Sequence, residues 1–221
     1  MDAVSALLRT SHIWAGFALL ALFWLPLIFR KGSRGHVWVG RIYTWLMFGV
    51  LLSAAVLCIH RVLTGNWAQG FALGFLTLIS FNSLWYGYAI AIKKRLTNSI
   101  ANARNAMFTI ISIYSVALIY VGVQYNQVLF IIFGLLGTLP FIPLALAIAR
   151  RTAQPEFNWL REHYTNMLVS GGAAYTAFFA FGSRIFFTFP DDNSLLAVLP
   201  WVLPTFLALM GVTWFNRRYV K

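Results

Sequence analysis

The sequence predicts an all-α, polytopic integral membrane helix bundle with seven transmembrane helices, the N-terminus outside and the C-terminus inside. Three observations lead to this prediction. Of the 221 residues, 60% are hydrophobic and only 10% are charged, whereas a soluble domain has about 25% charged residues. The apolar residues form seven continuous runs, each long enough to cross a bilayer. The basic residues are concentrated in alternate loops between these runs, as is typical of membrane proteins.

Each predicted span is a run of roughly 20 mostly apolar residues, the length that a helix needs to cross the hydrocarbon core. The runs are continuous, which excludes the alternating strands of an outer-membrane barrel. Backbone polar groups must be satisfied within the lipid, and for continuous runs this requires helices. No connecting segment is long enough for a soluble domain, so residues 1–221 are predicted to form a single membrane domain. The predicted spans are residues 12–29, 39–59, 68–92, 106–123, 128–149, 167–189 and 195–215.

Short polar segments separate these spans. The segment before the sixth span, residues 155–164, is amphipathic. Pro155 suits the first helical position and Glu156 the first turn, so we expect a helical extension that leads into this span. In chain order, the separating segments are residues 30–36, 60–67, 93–105, 124–127, 150–166 and 190–194.

The Lys and Arg residues predict the orientation. Only Arg9, Arg61 and Arg184 lie on the predicted outer side, and the other 14 of 17 lie on the inner side. The net charge of +12 therefore reflects the orientation in which the chain is inserted into the membrane and does not indicate a nucleic-acid partner. We expect a multi-pass protein of the bacterial cytoplasmic (inner) membrane, surrounded by the lipid bilayer. The 14 are Arg30, Lys31, Arg34, Arg41, Lys93, Lys94, Arg95, Arg104, Arg150, Arg151, Arg161, Arg217, Arg218 and Lys221.

Acidic residues and cysteine exclude several kinds of chemistry. The single cysteine, Cys58, cannot form an intrachain disulfide or a thiolate cluster. Ion-coupled transporters usually keep a carboxylate within the membrane, so a transporter is only the third interpretation. No motif for hydrolysis or nucleotide binding is present. The five acidic residues all lie in predicted tails or loops: Asp2, Glu156, Glu162, Asp191 and Asp192.

The four histidines, all at predicted helix ends, are the candidate cofactor-binding residues. His36 and His163 lie on the predicted inner side, and His12 and His60 lie on the outer side. Two histidines per side resembles the layout of di-haem membrane cytochromes, and neutral imidazole is the form that binds haem iron or another metal. His36 and His163 are thus candidate ligands of haem b or of a metal. Plain interfacial histidines are the alternative, above all for His60, which is about 36 Å along a helix from His36.

The neighbours of these histidines leave room for a flat ligand. His12 and His36 open the same pattern, His-(Ile/Val)-Trp-x-Gly, over residues 12–16 and 36–40. Gly40 and Met167 follow His36 and His163 by four residues, so each lies on the face of its histidine. A macrocycle can lie in the resulting groove, with Met167 as a further cofactor-binding candidate. A neighbouring helix is the alternative occupant.

Other polar side chains in the spans have two interpretations each. Arg184, near the outer interface, either extends to the headgroups or binds an acidic group, which is Asp191 or Asp192 of the next loop, an anionic headgroup or a propionate. Asn82 and Ser83 form a polar patch at mid-membrane depth, which indicates interhelical hydrogen bonds or a quinone or small polar ligand. Gly70 and Gly74 form a G-x-x-x-G pair, which predicts close helix packing.

Two stretches, residues 11–60 and 155–185, carry a further pattern. The first has a helix-opening His, a Lys-Gly loop and a His-x-x-x-Gly-x-x-Tyr helix start. The second has a His-x-x-x-Met helix that ends in Ala-Phe and Arg. Together they resemble uncharacterised bacterial families of predicted membrane proteins, although the third and fourth helices show no such match. The resemblance implies that His12, His36 and His163 matter, without implying an activity. The matching residues are His12, Lys31, Gly32, His36, Gly40, Arg41, Tyr43, His163, Met167, Ala177, Phe178 and Arg184.

Two functions of different class follow. The first is a membrane redox component that holds haem b or a metal between helix ends and passes electrons to a quinone. The second is a non-enzymatic membrane protein that binds a lipid or small ligand, or is an accessory subunit of a membrane complex. The sequence does not decide whether the protein is an enzyme.

Overall fold

A computed structural model describes residues 3–138, 157–186 and 195–219, and every regular element within them is a helix. The all-α prediction is therefore confirmed for this part of the chain. A 3-10 turn, Gly182–Ile185, follows the sixth α-helix. In chain order, the α-helices are α1 (Ala3–Ile28), α2 (Arg34–Leu63), α3 (Trp67–Lys93), α4 (Asn98–Gln124), α5 (Val128–Thr138), α6 (Trp159–Ala180) and α7 (Leu195–Tyr219).

Five of the described helices, α1 to α4 and α7, are long and apolar enough to cross a membrane. Their outer faces carry large exposed apolar side chains: Leu52 is 71% exposed and Ile113 is 67% exposed. Such surfaces are unfavourable in water and favourable against lipid chains. The chain is therefore a multi-pass membrane protein, and the count of seven spans and their orientation stay predictions.

The fifth and sixth predicted spans differ from the helices. The described part of the fifth span, 128–149, is α5, and residues 139–149 lie outside the described residues. The sixth span, 167–189, overlaps α6, which begins earlier and ends at Ala180. The first turns of α6 contain Arg161, Glu162 and His163. Because these polar side chains lower the local hydropathy, the predicted span begins later in the chain than the helix does.

Asn158 determines where α6 begins. Its Oδ1 accepts hydrogen bonds from the backbone N–H groups of Leu160 (3.0 Å) and Arg161 (3.1 Å), which is the usual role of an N-cap asparagine. The helical extension predicted for residues 155–164 is thus present from Trp159 onwards. Pro155 and Glu156 lie outside the described residues.

Helix α3 is central to the packing. Helices α2, α4 and α6 all pack against it, while α1 packs on α2, α7 on α6 and α5 on α4. Helix α1 also reaches α6. Since connections of only three to five residues join α1 through α5, neighbours in sequence are also neighbours in space. This arrangement brings the predicted inner ends of α1, α2, α3 and α6 together.

Close approach of backbones stabilises these contacts. A Cβ atom at Gly70 would lie 2.8 Å from the carbonyl oxygen of Cys58, so α2 and α3 meet where only glycine fits. At Gly74, a Cβ atom would lie 2.9 Å from the hydroxyl of Tyr114 in α4. The G-x-x-x-G pair therefore acts in helix packing, as its spacing predicts. Cys58 is a free, buried thiol, also as predicted.

Candidate functional site

His36 and His163, the predicted inner pair, lie side by side. Their ring centres are 6.4 Å apart and their planes are nearly perpendicular, at 82°. His36 is in the first turn of α2, where its backbone N–H donates to the capping hydroxyl of Ser33 (3.2 Å). His163 is in the second turn of α6. The fold thus joins two residues that are far apart in the chain.

Backbone carbonyl groups fix the orientation of both imidazoles. The Nδ1 atom of His36 lies 3.0 Å from the carbonyl oxygen of Pro26, and Nδ1 of His163 lies 3.0 Å from that of Gly87. A carbonyl oxygen only accepts hydrogen bonds, so each Nδ1 carries the proton and donates. In the neutral ring, Nε2 then keeps its lone pair. Histidines that bind metals are commonly held in this way, with the other ring N–H on a carbonyl or carboxylate.

The two carbonyl groups have different origins. Pro26 lies in the last turn of α1, where carbonyl groups lack a partner within the helix. Lys31 also binds this helix end, because its Nζ donates to the carbonyl oxygens of Pro26 (3.0 Å) and Leu27 (2.7 Å). Gly87 is within α3, at a point where a Cβ atom would lie only 3.0 Å from Cβ of Asn166 in α6. Close packing of α3 on α6 therefore brings this carbonyl group to His163.

A pocket of about 460 Å³ opens beside the two histidines, among the ends of α1, α2, α3, α6 and α7. This volume is within the range of small-molecule sites, about 300–1,000 Å³. Its walls are mainly apolar and aromatic, and they include Met167 and Gly40. A Cβ atom at Gly40 would have no neighbour within 4 Å. The space beside His36 that the sequence predicts is therefore present.

Two buried hydroxyl groups lie deeper on the same helix faces. Tyr43 lines the pocket and is 3% exposed, and Ser170 is completely buried. The two hydroxyl groups are close enough to interact with each other, but neither makes a hydrogen bond of good geometry within the described part of the chain. Because an unpaired buried hydroxyl is unfavourable, a water molecule or a polar ligand atom would be stabilised here.

The sequence places Ser170 on the His163 face only as a small residue beside the predicted groove, not as a polar group of the site, and it indicates Tyr43 only through a resemblance. The signal was nevertheless present in the spacing. Tyr43 follows His36 by seven residues, and Ser170 follows His163 by seven. Two helical turns keep both residues on the histidine face. Helices α2 and α6 therefore each carry three residues on one face: a histidine, a residue four positions later (Gly40 or Met167), and a residue with a hydroxyl group three positions after that.

The pocket is basic. Lys31, Arg41 and Lys94 line it, and no described carboxylate lies within ion-pairing distance of any of them. The ammonium group of Lys94 lies 5.3 Å from the ring centre of Trp159, and that of Lys31 lies 5.7 Å from Phe215. Partial burial lowers the pKa of Lys31 below its usual value.

The outer histidines do not form an equivalent pair in the described structure. The Nδ1 atom of His12 lies 2.8 Å from the hydroxyl of Ser53, which itself donates to the carbonyl oxygen of Val50. His60 is exposed near the end of α2, and no contact joins it to His12 among the residues described. The side chain of Arg184 lies outside the described residues. These three remain candidates from the sequence alone.

The mid-membrane patch is buried but separate from the histidine pocket. Asn82 and Ser83 are each 5% exposed, and Oδ1 of Asn82 has no hydrogen-bond partner in the described part of α1 to α7. A second, larger groove of about 730 Å³ runs along α2 and α3, past Gly70, Gly74 and Tyr114. Its lining is almost entirely apolar, so it offers space for a hydrocarbon chain and little chemistry.

No protein family, curated protein or solved structure gives a match to this chain. Within residues 3–138, 157–186 and 195–219, no group of three or more His, Cys, Asp or Glu side chains is placed to hold a metal ion. The interpretation of the pocket therefore depends on the pair of imidazoles and their surroundings.

Proposed function

We propose that this membrane protein binds haem b between His36 and His163 and acts as a redox component of the membrane. The observation that supports the proposal is the pair of adjacent imidazoles, each with Nδ1–H held by a backbone carbonyl group. In the neutral rings, this arrangement leaves both Nε2 lone pairs available to a metal.

The donor set favours haem over a bare metal ion. Structural zinc and similar ions need about four protein ligands, whereas two imidazoles and the thioether of Met167 are the soft or nitrogen donors at this pocket. Haem brings four nitrogen ligands of its own, so two axial histidines complete it. A pocket of about 460 Å³ is also far larger than a single ion requires.

The separation of the two rings agrees with this assignment. A metal–imidazole bond is only about 2 Å long, so a metal held by both His36 and His163 would require the two rings to lie side by side. The observed separation is 6.4 Å. Bound haem would supply one-electron chemistry, with a quinone in the bilayer as the expected partner.

Absorption spectroscopy tests the proposal. The protein is expressed with ample haem supply, purified in detergent, and measured in oxidised and reduced forms. We expect Soret and α bands that are weakened or shifted by His36→Ala and by His163→Ala, and that added imidazole restores. Gln124→Ala is the control, because Gln124 is exposed at the end of α4 and does not line the pocket, and it should leave the bands unchanged. Absence of these bands, together with absence of metal by elemental analysis, would refute the proposal.

A second candidate function is the non-enzymatic binding of a lipid, as a ligand carrier or as an accessory subunit of a membrane complex. The apolar groove of about 730 Å³ between α2 and α3 favours it. Native mass spectrometry would then detect a retained lipid or protein partner and no chromophore. His36→Ala would leave the occupancy unchanged, because His36 does not line this groove.

A further inference from the structure

We propose that the ligand of the histidine pocket is an amphipathic acid, whose apolar body lies between the helices and whose carboxylate or phosphate is bound by Lys31, Arg41 and Lys94. This inference rests on the same pocket as the proposed function and adds the chemical class of the ligand. Haem, with its carboxylates, belongs to this class, and so does an acidic lipid. The shared chemistry is an acidic group on an apolar body.

Lys31 is held at the pocket with one donor to spare. An ammonium group has three N–H donors, and two of them bind the carbonyl oxygens of Pro26 and Leu27. The third has no hydrogen-bond partner among the residues that the structure describes, and the ammonium group lies 5.7 Å from the centre of the Phe215 ring. Gly32 follows with φ of +78°, a conformation that favours glycine, so the turn itself places Lys31 at this point.

Arg41 and Lys94 add charge where the pocket reaches the surface. Both line the pocket and both are exposed. No carboxylate of the described chain neutralises any of the three cations. Cations at a protein surface are ordinarily hydrated or loosely paired, but here they line the same pocket as the apolar and aromatic side chains. An anion in this part of the pocket would form charge-assisted hydrogen bonds with them.

The interior of the pocket has the opposite character. Phe23, Leu168 and Met167 form part of its wall, and the buried Tyr43 forms part of its floor. The pocket therefore combines a cationic part, where Arg41 and Lys94 are exposed, with an apolar and aromatic part that includes the buried Leu168 and Tyr43. A ligand that is charged at both ends, or entirely apolar, would leave one of these regions without a partner.

Two matched ligand pairs test the inference. The first pair is haem and its dimethyl ester, and the second is phosphatidic acid and diacylglycerol with identical acyl chains. Binding to the full chain in detergent is measured by absorption for the porphyrins and by native mass spectrometry for the lipids. In each pair that binds, we expect the acid to bind about tenfold more tightly than its neutral partner. Lys31→Met should remove most of this preference, whereas Lys93→Met should keep it, because Lys93 is exposed and does not line the pocket.

The outcomes separate this inference from the haem proposal. If both porphyrins bind equally and the lipids show no preference, haem binding stands and the amphipathic acid is refuted. If neither porphyrin binds but phosphatidic acid is preferred through Lys31, the haem proposal fails and the inference holds for a lipid. Equal loss of preference in Lys31→Met and Lys93→Met would refute it, because general surface charge would then explain the binding. Binding of neither acid would also refute it. A thermal melt of each variant verifies that it is folded.

Discussion

Two substitutions of Gly40 test separately the stability of α2 and the open space of the pocket beside His36. A Cβ atom at this position would have no neighbour within 4 Å, so Gly40→Ala introduces no overlap. Alanine is favoured over glycine in a helix by about 0.5–1 kcal/mol. For a chain of this length, that corresponds to a rise of about 1–4 °C in the melting temperature. Gly40→Phe would instead fill the open space beside His36.

Melting curves in detergent and ligand titrations measure the two effects. The nine tryptophans provide a fluorescence signal for unfolding, and haem binding is followed by absorption. We expect Gly40→Ala to melt slightly higher than the parent protein without ligand. Gly40→Phe should fold but bind haem at least about tenfold more weakly, because the ring occupies the volume of the ligand.

Gly49 provides the matched control. It also lies in α2, and a Cβ atom there has no neighbour within 4 Å, but it is exposed and does not line the histidine pocket. Gly49→Phe should therefore leave haem binding unchanged. A Gly40→Ala variant that melts well below the parent would show that the space is not open. A Gly40→Phe variant with normal haem affinity would show that the ligand lies elsewhere.

Three further predictions concern the walls of the pocket. Gly87→Ala places a Cβ atom 3.0 Å from Asn166 and 3.1 Å from Met167. We expect the unfolding free energy, measured by denaturant titration, to fall by about 1–2 kcal/mol. An unchanged unfolding free energy would contradict the close packing of α3 on α6. Tyr43→Phe removes a buried hydroxyl group that makes no hydrogen bond of good geometry in the described chain. The melting temperature without ligand should therefore hold or rise, while ligand affinity should fall about three- to tenfold. A lower melting temperature would indicate that the neighbouring Ser170 hydroxyl group is a hydrogen-bond partner. Burial lowers the pKa of Lys31, and the attraction of Lys31 for an anion is lost when its ammonium group deprotonates. The preference for haem over its dimethyl ester should therefore decline as the pH rises toward that lowered pKa. In Lys31→Arg the preference should not decline, because the guanidinium group stays charged. Parallel pH curves for both proteins would exclude Lys31 as the anion ligand.

The helices could be predicted because apolar runs of spanning length have few alternatives in a membrane. The start of α6 was harder, since Arg161 and Glu162 lower its hydropathy although Asn158 caps it clearly. Hydropathy indicates how favourable a segment is against lipid. Helix α6 packs on both α3 and α7, so its end tolerates polar residues.

The sequence could predict that His36 and His163 lie at the same end of the helix bundle, but not their contacts. Counting helices placed His36 and His163 on one side, and the fold joins them. Their partners are the carbonyl groups of Pro26 and Gly87. A backbone carbonyl group carries no residue signature, so no sequence pattern could reveal it. The same counting placed His12 and His60 together on the other side. In the described structure they do not form a pair, because His60 lies at the exposed end of α2.

The two halves of the pocket are synthesised at different times. His36, with its carbonyl partner at Pro26, is made early, and so is the Gly87 carbonyl group that later holds His163. A nascent chain that has reached Thr138 therefore carries one histidine of the pair and an uncovered face of α3. Only when α6 has been inserted and has packed on that face do the second imidazole and the Ser170 hydroxyl arrive. If the proposed ligand binds at this pocket, its loading would be a late event in biogenesis, and its retention would report that the C-terminal helices have been assembled correctly.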